Sequence, residues 1–238
     1  MKNNRVLVTV SLGKIYNELI SPLTHPTLED YAYRMGADFF VIEDRKLDET
    51  YQEFWEKLRM RDLLDQYDRV LFMDSDIIVH PRAPSLFDLV PLDCLGMTNE
   101  GYLQSISDKE HELKDFCKQA GIKMSFRSTR FPDWDGRYWN VGVILFGQEH
   151  RSIFSDPPVF ITHKYPEQAW VNIQIARLRP KMFCLPRAFH DWKFLMKEDA
   201  VLNQLTGSLR WIIHYAGQAK NAALCNEIKE DLDKWSRT

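Results

Sequence analysis

The chain has 238 residues, of which 45% are hydrophobic and 27% charged, a composition of soluble globular proteins with length enough for one sizeable core. Its formal net charge of -3 excludes general electrostatic attraction to nucleic acid, and no apolar run reaches the length of a membrane span. Cys94, Cys117, Cys184 and Cys225 are scattered with no Cys-x-x-Cys pair, which argues against a zinc knuckle or thioredoxin-like site and fits reduced thiols in a cytoplasmic protein.

Arg5–Val10, apolar and β-branched, predicts a buried first strand. Lys2 and Arg5 before it loosely imitate a leader, but the apolar part is too short and no cleavage site follows. His25-Pro26-Thr27 opens a predicted helix with Pro26 in its first turn, and Gly36 closes it. Asp38–Ile42 predicts a second strand. Tyr51, Phe54, Trp55 and Leu58 recur at helical spacing. Residues 69–79 read as a strand interrupted by polar groups, and residues 95–98 and 140–146 as further strands. Residues 167–178 predict a helix, residues 182–185 and 210–215 late strands. Residues 221–235 predict an amphipathic helix with Leu224, Ile228, Leu232 and Trp235 on one face.

This alternation predicts an α/β fold with a mostly parallel central sheet flanked by helices. Residues 105–138 are the least regular, charged and aromatic, with Phe126, Phe131, Trp134 and Tyr138. They read as an excursion over the C-terminal edge of the sheet, where open α/β sheets bind ligands.

Three Asp-x-Asp triplets occur, and context separates them. Asp231 and Asp233 fall in a polar helix, and Asp133 and Asp135 in a turn-like stretch. Asp74 and Asp76 interrupt the apolar run Arg69-Val70-Leu71-Phe72-Met73-Asp74-Ser75-Asp76-Ile77-Ile78-Val79. Two carboxylates there repel and lose hydration unless a cation compensates. In extended geometry residues i and i+2 face one side, so both could reach one ion, or one could bind it while the other orients a substrate hydroxyl. The residues alone also allow a strand-end turn with two solvated aspartates.

Five blocks in order resemble a GT-A-fold (Rossmann-like) glycosyltransferase, closest to the retaining family 8 of glycogenin and bacterial galactosyltransferases. They are Val8-Thr9-Val10-Ser11 with Tyr16, Lys57-Leu58, the Asp74-Ser75-Asp76 strand, Tyr138-Trp139-Asn140-Val141-Gly142 paired with Glu167-Gln168, and His214-Tyr215-Ala216-Gly217-Gln218-Ala219-Lys220. The resemblance implies that Asp74, Asp76 and His214 hold a divalent metal. It implies that Val10, Ser11, Tyr16, Lys57, Ser75, Gly217 and Lys220 join the two aspartates in binding the donor nucleotide, and that Asn140, Glu167 and Gln168 act at the donor sugar. Tyr16 would stack on a uracil, although as a residue it equally suits core packing. The O, O, N ligand set favours Mn²⁺, with Mg²⁺ the alternative.

The implied reaction moves a hexose or related sugar from a UDP-sugar to a saccharide or other hydroxyl acceptor, with retention. No carboxylate nucleophile stands out, so a same-face mechanism is the default, with the departing phosphate helping to activate the acceptor hydroxyl and Gln168 or Glu167 stabilising the oxocarbenium-like centre. The chain is read as a single domain, with a nucleotide-binding part over about residues 1–98 and an acceptor-binding, metal-completing part over about 99–238. Asn99, Glu100, Trp134, Asp135, Arg187, His190 and Asp191 are acceptor-side candidates. The chain departs from the family in having Glu167 where many relatives have Asp, in Asn221-Ala222-Ala223 where Pro-Trp is familiar, and in showing no basic amphipathic tail. A nucleotidyltransferase that forms sugar nucleotides is the rival enzyme, though Ser11-Leu12-Gly13-Lys14 poorly matches its Gly-rich basic loop. A non-catalytic sugar-nucleotide-binding module is the rival of another class.

Overall fold

The computed structural model describes residues 4–100, 106–122, 136–198 and 210–237. The central sheet has six strands in the order β2-β1-β3-β6-β5-β7, formed by β1 (Arg5–Val10), β2 (Asp38–Ile42), β3 (Arg69–Met73), β5 (Leu95–Asn99), β6 (Trp139–Gly147) and β7 (Met182–Cys184). β1 pairs in parallel with β2 and β3, and β5 with β7, while β6 runs antiparallel to both β3 and β5. The mostly parallel sheet expected from the sequence is therefore present, with one reversed strand inside it. A second sheet of three strands, β4 (Ile77–Val79), β9 (Ile212–His214) and β8 (Asp191–Trp192), stands beside the first.

The central strands are apolar on both faces because both faces are covered. Val6, Val8, Val70, Phe72, Ile144 and Phe146 enter one buried cluster. Leu7, Leu71, Met73, Val143 and Leu145 enter the opposite one. Helix α4 (Pro166–Leu178) supplies Ala169, Trp170, Val171 and Ile173 to the first cluster, and α1 (Ser21–Arg34) supplies Leu28, Tyr31 and Ala32 to the second. Ile78, Ile213 and Tyr215 from the small sheet form a third cluster with Leu224 and Ile228 of α6 (Ala222–Ser236). Asn221 caps α6, its side chain accepting from the Leu224 N–H at 3.1 Å. The short helices α2 (Leu86–Leu89) and α5 (Lys193–Glu198) complete the described α-helices, together with α3 (Ile106–Gln119).

Four expectations are corrected. The first helix does not open at His25-Pro26: a π-helical segment at Tyr16–Ile20 runs into α1, and Pro26 lies inside α1. A proline there removes one helical hydrogen bond, but tertiary anchoring holds the turn. The Thr24 hydroxyl donates to the Ser75 carbonyl at 2.6 Å, and the Tyr31 hydroxyl donates to Pro84 O and accepts from Leu86 N, both at 2.8 Å. The helical segment beginning near Tyr51 is a 3-10 helix at Glu53–Asp65 that buries Trp55, Leu58 and Leu64. Residues 69–79 are two strands belonging to two sheets, not one interrupted strand. The irregular excursion contains the fourteen-residue helix α3, whose apolar residues Leu113, Phe116 and Cys117 join the first cluster. Phe126, Phe131, Trp134 and Asp135 lie outside the described residues.

All four cysteines are free, with Cys94, Cys117 and Cys225 buried and Cys184 exposed. Among the described residues no helix is long and apolar enough to cross a membrane.

Candidate active site

Asp74-Ser75-Asp76 is the turn by which the chain leaves the large sheet for the small one. Of the two geometries the sequence allowed, an extended strand or a strand-end turn, the chain takes the turn, with Asp76 buried rather than solvated. The Asp74 N–H donates to Gly142 O on β6 at 2.9 Å, continuing the β3–β6 ladder. The Asp76 carbonyl accepts from Tyr215 N at 3.0 Å, continuing the β4–β9 ladder, in which Ile77 sits opposite His214. Ser75 points away from both: its hydroxyl donates to Val10 O and lies 3.0 Å from the Thr9 hydroxyl. Each aspartate is thus fixed to a different sheet, and Ser75 bolts the turn to β1.

That register brings His214 alongside. Its Nε2 lies 3.1 Å from Asp76 Oδ1 and 3.4 Å from Asp74 Oδ2. Asp76 and His214 are buried, at 5% and 3% exposure. A Cβ on Gly142 would meet His214 Cε1 at 2.5 Å and Asn140 Oδ1 at 2.9 Å, so only glycine lets the imidazole lie against β6. The other ring nitrogen of His214 is 2.8 Å from Nε2 of His190.

Cations and amides surround the acidic pair. Lys220 donates to Asp76 and to Tyr215 O. Lys57 bridges Asp74 Oδ1 at 2.8 Å and Glu167 Oε1 at 3.2 Å. The second oxygen of Glu167, Oε2, is buried without a hydrogen-bond partner among the described residues. Glu100 is the centre of a neighbouring network: its Oε1 accepts from Asn140 Nδ2 at 3.1 Å, and its Oε2 from Gln168 Nε2 at 3.0 Å and Lys109 Nζ at 3.2 Å. The far ends of the amides are occupied too, since Asn140 Oδ1 accepts from Gly142 N and Gln168 Oε1 from Val141 N. The Val141 N–H is available because the β5–β6 register jumps from Met97↔Ile144 to Thr98↔Asn140, an irregularity typical of sites.

Burial opposes the charge on each of these groups, and neighbours decide the outcome. Burial would raise the Asp76 carboxyl, but His214 and Lys220 hold it well below the usual carboxylate range. Burial disfavours the Lys57 ammonium, yet Asp74 and Glu167 hold its pKa above the ordinary lysine value. For Glu167 burial wins over Lys57 and pushes the carboxyl up. Burial, then Asp76 and Asp74, push the Tyr16 phenol up. Burial, reinforced by His214, keeps His190 well below the ordinary histidine value.

Candidate ligand atoms of Asp74, Asp76 and His214 lie within 4.8 Å of one another. Among the described residues no other group of His, Cys, Asp or Glu is so placed. Two carboxylate oxygens and an imidazole nitrogen, with compensating lysines already in place, suit a divalent ion of the Mn²⁺ or Mg²⁺ type. The three side chains open onto a cleft of about 690 Å³.

Val10, Tyr16, Lys57, Asp74, Ser75, Asp76, Asn140, Glu167, Gln168, His214, Gly217 and Lys220 all line the cleft, as does Glu100. Ser11 does not: its hydroxyl is buried, bonded to Asn17 and Ser21. Four acceptor-side candidates are also corrected. Asn99 is off the cleft, its side chain accepting from Tyr138 N. Arg187 and Asp191 form an ion pair and do not line the cleft, and His190 is fully buried against His214. Arg187, His190 and Asp191 sit in short β8 and the turn before it, where sequence alone does not distinguish inward from outward positions. Phe54, Tyr165, Trp192, Phe194 and Gln218 were missed as cleft residues. Phe54 lies one helical turn before Lys57, and Gln218 falls inside the His214–Lys220 block, so both carried a usable signal.

A model of glycosyl transferase family 8 matches residues 42–221. Among solved structures, a glycosyltransferase involved in glycosylation of the major capsid of PBCV-1 is similar over 95% of this chain and 98% of its own, at 13% identity and TM-score 0.60. The galactosyltransferase LgtC in complex with donor and acceptor sugar analogs matches over 96% and 95%, at 12% identity and TM-score 0.58. The bifunctional glycosyltransferase WbbM matches over 98% of this chain and 50% of its own, at 13% identity and TM-score 0.59. At these identities the structural likeness speaks for the fold. No curated protein sequence matches the chain.

Proposed function

The chain belongs to glycosyl transferase family 8 and is a glycosyltransferase, and we propose that it moves a hexose or related sugar from a UDP-sugar to a carbohydrate or other hydroxyl acceptor, with a divalent metal and retention at the anomeric carbon. The observation that carries this reading is the Asp74–Asp76–His214 cluster at the base of a cleft of about 690 Å³. Asp74, Asp76 and His214 would hold Mn²⁺, or Mg²⁺, which supplies charge neutralisation at the leaving diphosphate.

The other cleft residues divide the donor between them. Val10 and Tyr16 line the base end, and Ser75 shapes the floor. Ser11 acts from behind, holding the loop after β1 through Asn17 and Ser21. Gly217, at φ 71°, lets the loop after β9 turn back on the phosphates. Lys220 leaves Asp76 for the diphosphate and adds positive charge where the leaving group gains negative charge. Lys57 fixes one oxygen of Glu167, so the unpartnered Oε2 accepts from a donor-sugar hydroxyl. Asn140 and Gln168, oriented by Glu100, lie beside the anomeric centre. The acceptor approaches from the Glu100 and Phe194 side, on the face the diphosphate leaves. Its hydroxyl proton passes to a departing phosphate oxygen as the new glycosidic bond forms.

Residues up to about 98 contribute most of the nucleotide side, and the remainder completes the metal site and receives the acceptor, all within one domain. A cytoplasmic setting fits the four free thiols.

The test is a screen of UDP-sugars for Mn²⁺-dependent UDP release, repeated with saccharide acceptors for the best donor. We expect one UDP-hexose to be turned over only with the metal, and Asp76→Asn to abolish turnover. Pyrophosphate release from UTP and a sugar phosphate would point instead to a nucleotidyltransferase, and donor binding with no turnover across a broad acceptor panel to a binding module.

A further inference from the structure

His190 is fully buried, belongs to no part of the cleft wall, and yet is held with unusual care. Its backbone N–H closes the preceding turn on Arg187 O at 2.9 Å. The next residue, Asp191, is clamped by Arg187 at 2.9 Å and Arg210 at 2.6 Å. The parallel β8–β9 ladder then sets Asp191 beside Ile213 and Trp192 beside His214. Trp192 lies against the His190 ring, with centroids 4.5 Å apart. The result is one contact: His190 Nε2 to His214 Nδ1 at 2.8 Å. The two ring planes are 23° apart and their centroids 5.0 Å apart, close to what an in-plane, edge-to-edge N–H···N bond requires.

We propose that His190 is a positioning residue whose Nε2 accepts the Nδ1–H of His214, so that the His214 Nε2 lone pair faces Asp74 and Asp76. A metal-ligating imidazole keeps its proton on the far nitrogen, and that proton needs an acceptor when buried. Among the described residues no backbone carbonyl or carboxylate fills that place; a second histidine does. The reverse arrangement, with His190 Nε2 donating, would put the His214 proton on Nε2 and remove the lone pair. His190 must therefore carry its own proton on Nδ1, an atom with no hydrogen-bond partner among the described residues, a desolvation cost that the metal bond at His214 must offset. The two acceptor-side candidates Arg187 and Asp191 thereby gain a physical role, as the clamp that fixes His190.

This inference rests on the proposed metal site, and the experiment separates the two. Mn²⁺ binding to the nucleotide-free protein is followed by the EPR signal of the free ion, for the wild type, His190→Phe and His190→Gln. Phenylalanine preserves a flat ring but cannot accept a hydrogen bond; the glutamine carbonyl can. We expect H190F to weaken Mn²⁺ about 10- to 100-fold and H190Q to recover most of that loss. Equal affinity in folded H190F, or equal loss in H190F and H190Q, would overturn the role. In parallel, ¹⁵N NMR of the Mg²⁺-loaded wild type should show His190 protonated on Nδ1. Protonation on Nε2 would overturn the proposal without any variant. A wild type that binds no Mn²⁺ would instead overturn the metal site itself.

Discussion

Asp76 and His214 are joined twice: through the backbone, where Ile77 pairs with His214 and Asp76 O accepts from Tyr215 N, and through the side chains, where Oδ1 and Nε2 are 3.1 Å apart. The first contact produces the second. Because the ladder begins at the turn, a carboxylate and an imidazole 138 positions apart in sequence are placed with strand-pair precision rather than loop precision. Asp74 is set with equal firmness from the other sheet by Gly142. The junction of two sheets is therefore the element that makes the site.

Gly142→Ala tests that closeness. The added methyl would lie 2.5 Å from His214 Cε1 and 2.8 Å from Nδ1, so the imidazole must move away from the carboxylates. Displacement of this size can cost about 10²-fold in rate. We expect UDP-sugar turnover to fall by that order, with Mn²⁺ affinity falling in parallel and circular dichroism unchanged.

Lys220→Ala should act with opposite signs on two ligands. Lys220 now satisfies Asp76, so it competes with any cation for that carboxylate. Its removal leaves Asp76 with His214 alone and should raise Mn²⁺ affinity several-fold in the absence of nucleotide, roughly the worth of one charge-assisted hydrogen bond. The same change should weaken UDP binding and lower turnover by about 10²-fold, the cost of losing one preorganised charge at the leaving group. Calorimetry with each ligand separately reads both effects.

Glu100→Gln tests the amide network. Glu100 accepts from Asn140, Gln168 and Lys109, and an amide there turns an N–H toward one of these donors. We expect transfer to fall about 10- to 100-fold through misplacement of Gln168, with Mn²⁺ affinity unaltered because Glu100 is outside the metal cluster. Steady-state kinetics and a metal titration on the same sample check this.

Asp231 ties α6 to the small sheet, receiving hydrogen bonds from Lys193 and from the Tyr215 hydroxyl, the latter at 2.8 Å. Burial opposes its charge, but Lys193, Tyr215 and Lys234 hold its carboxyl below the ordinary value. A depressed folded pKa stabilises the fold above the unfolded value of about 4 and loses that contribution as pH falls further. Asp231→Asn leaves the buried Lys193 ammonium with only Glu227, 3.8 Å away, and should cost about 1–3 kcal/mol. Its stability should also vary less than that of the wild type below pH 4, as thermal melts across pH would show.

The parts of the fold that were legible in sequence were those governed by local pattern. Arg5–Val10 and Asp38–Ile42 coincide with their predicted bounds, and the last helix, Ala222–Ser236, was recognisable from its apolar face. What escaped was set by tertiary context. A proline is tolerated in a first turn, which points to a helix start at Pro26, but Thr24 and Tyr31 of the same helix bond to Ser75, Pro84 and Leu86 and let it pass through the proline. The acidic pair was singled out because carboxylates in an apolar run need compensation, which holds for buried Asp76. The choice between an extended strand and a strand-end turn stayed open, since no local pattern reports that the chain changes sheets at Ser75. His190 looked like a substrate-facing group, and only the β8–β9 register shows it turned inward onto His214.

The central claim is most directly tested by titrating Mn²⁺ into the protein with UDP present, for the wild type, Asp76→Asn and His214→Ala. The account predicts one saturable site in the wild type, essentially absent in both variants while their folds persist. Undiminished Mn²⁺ binding in either folded variant would contradict it.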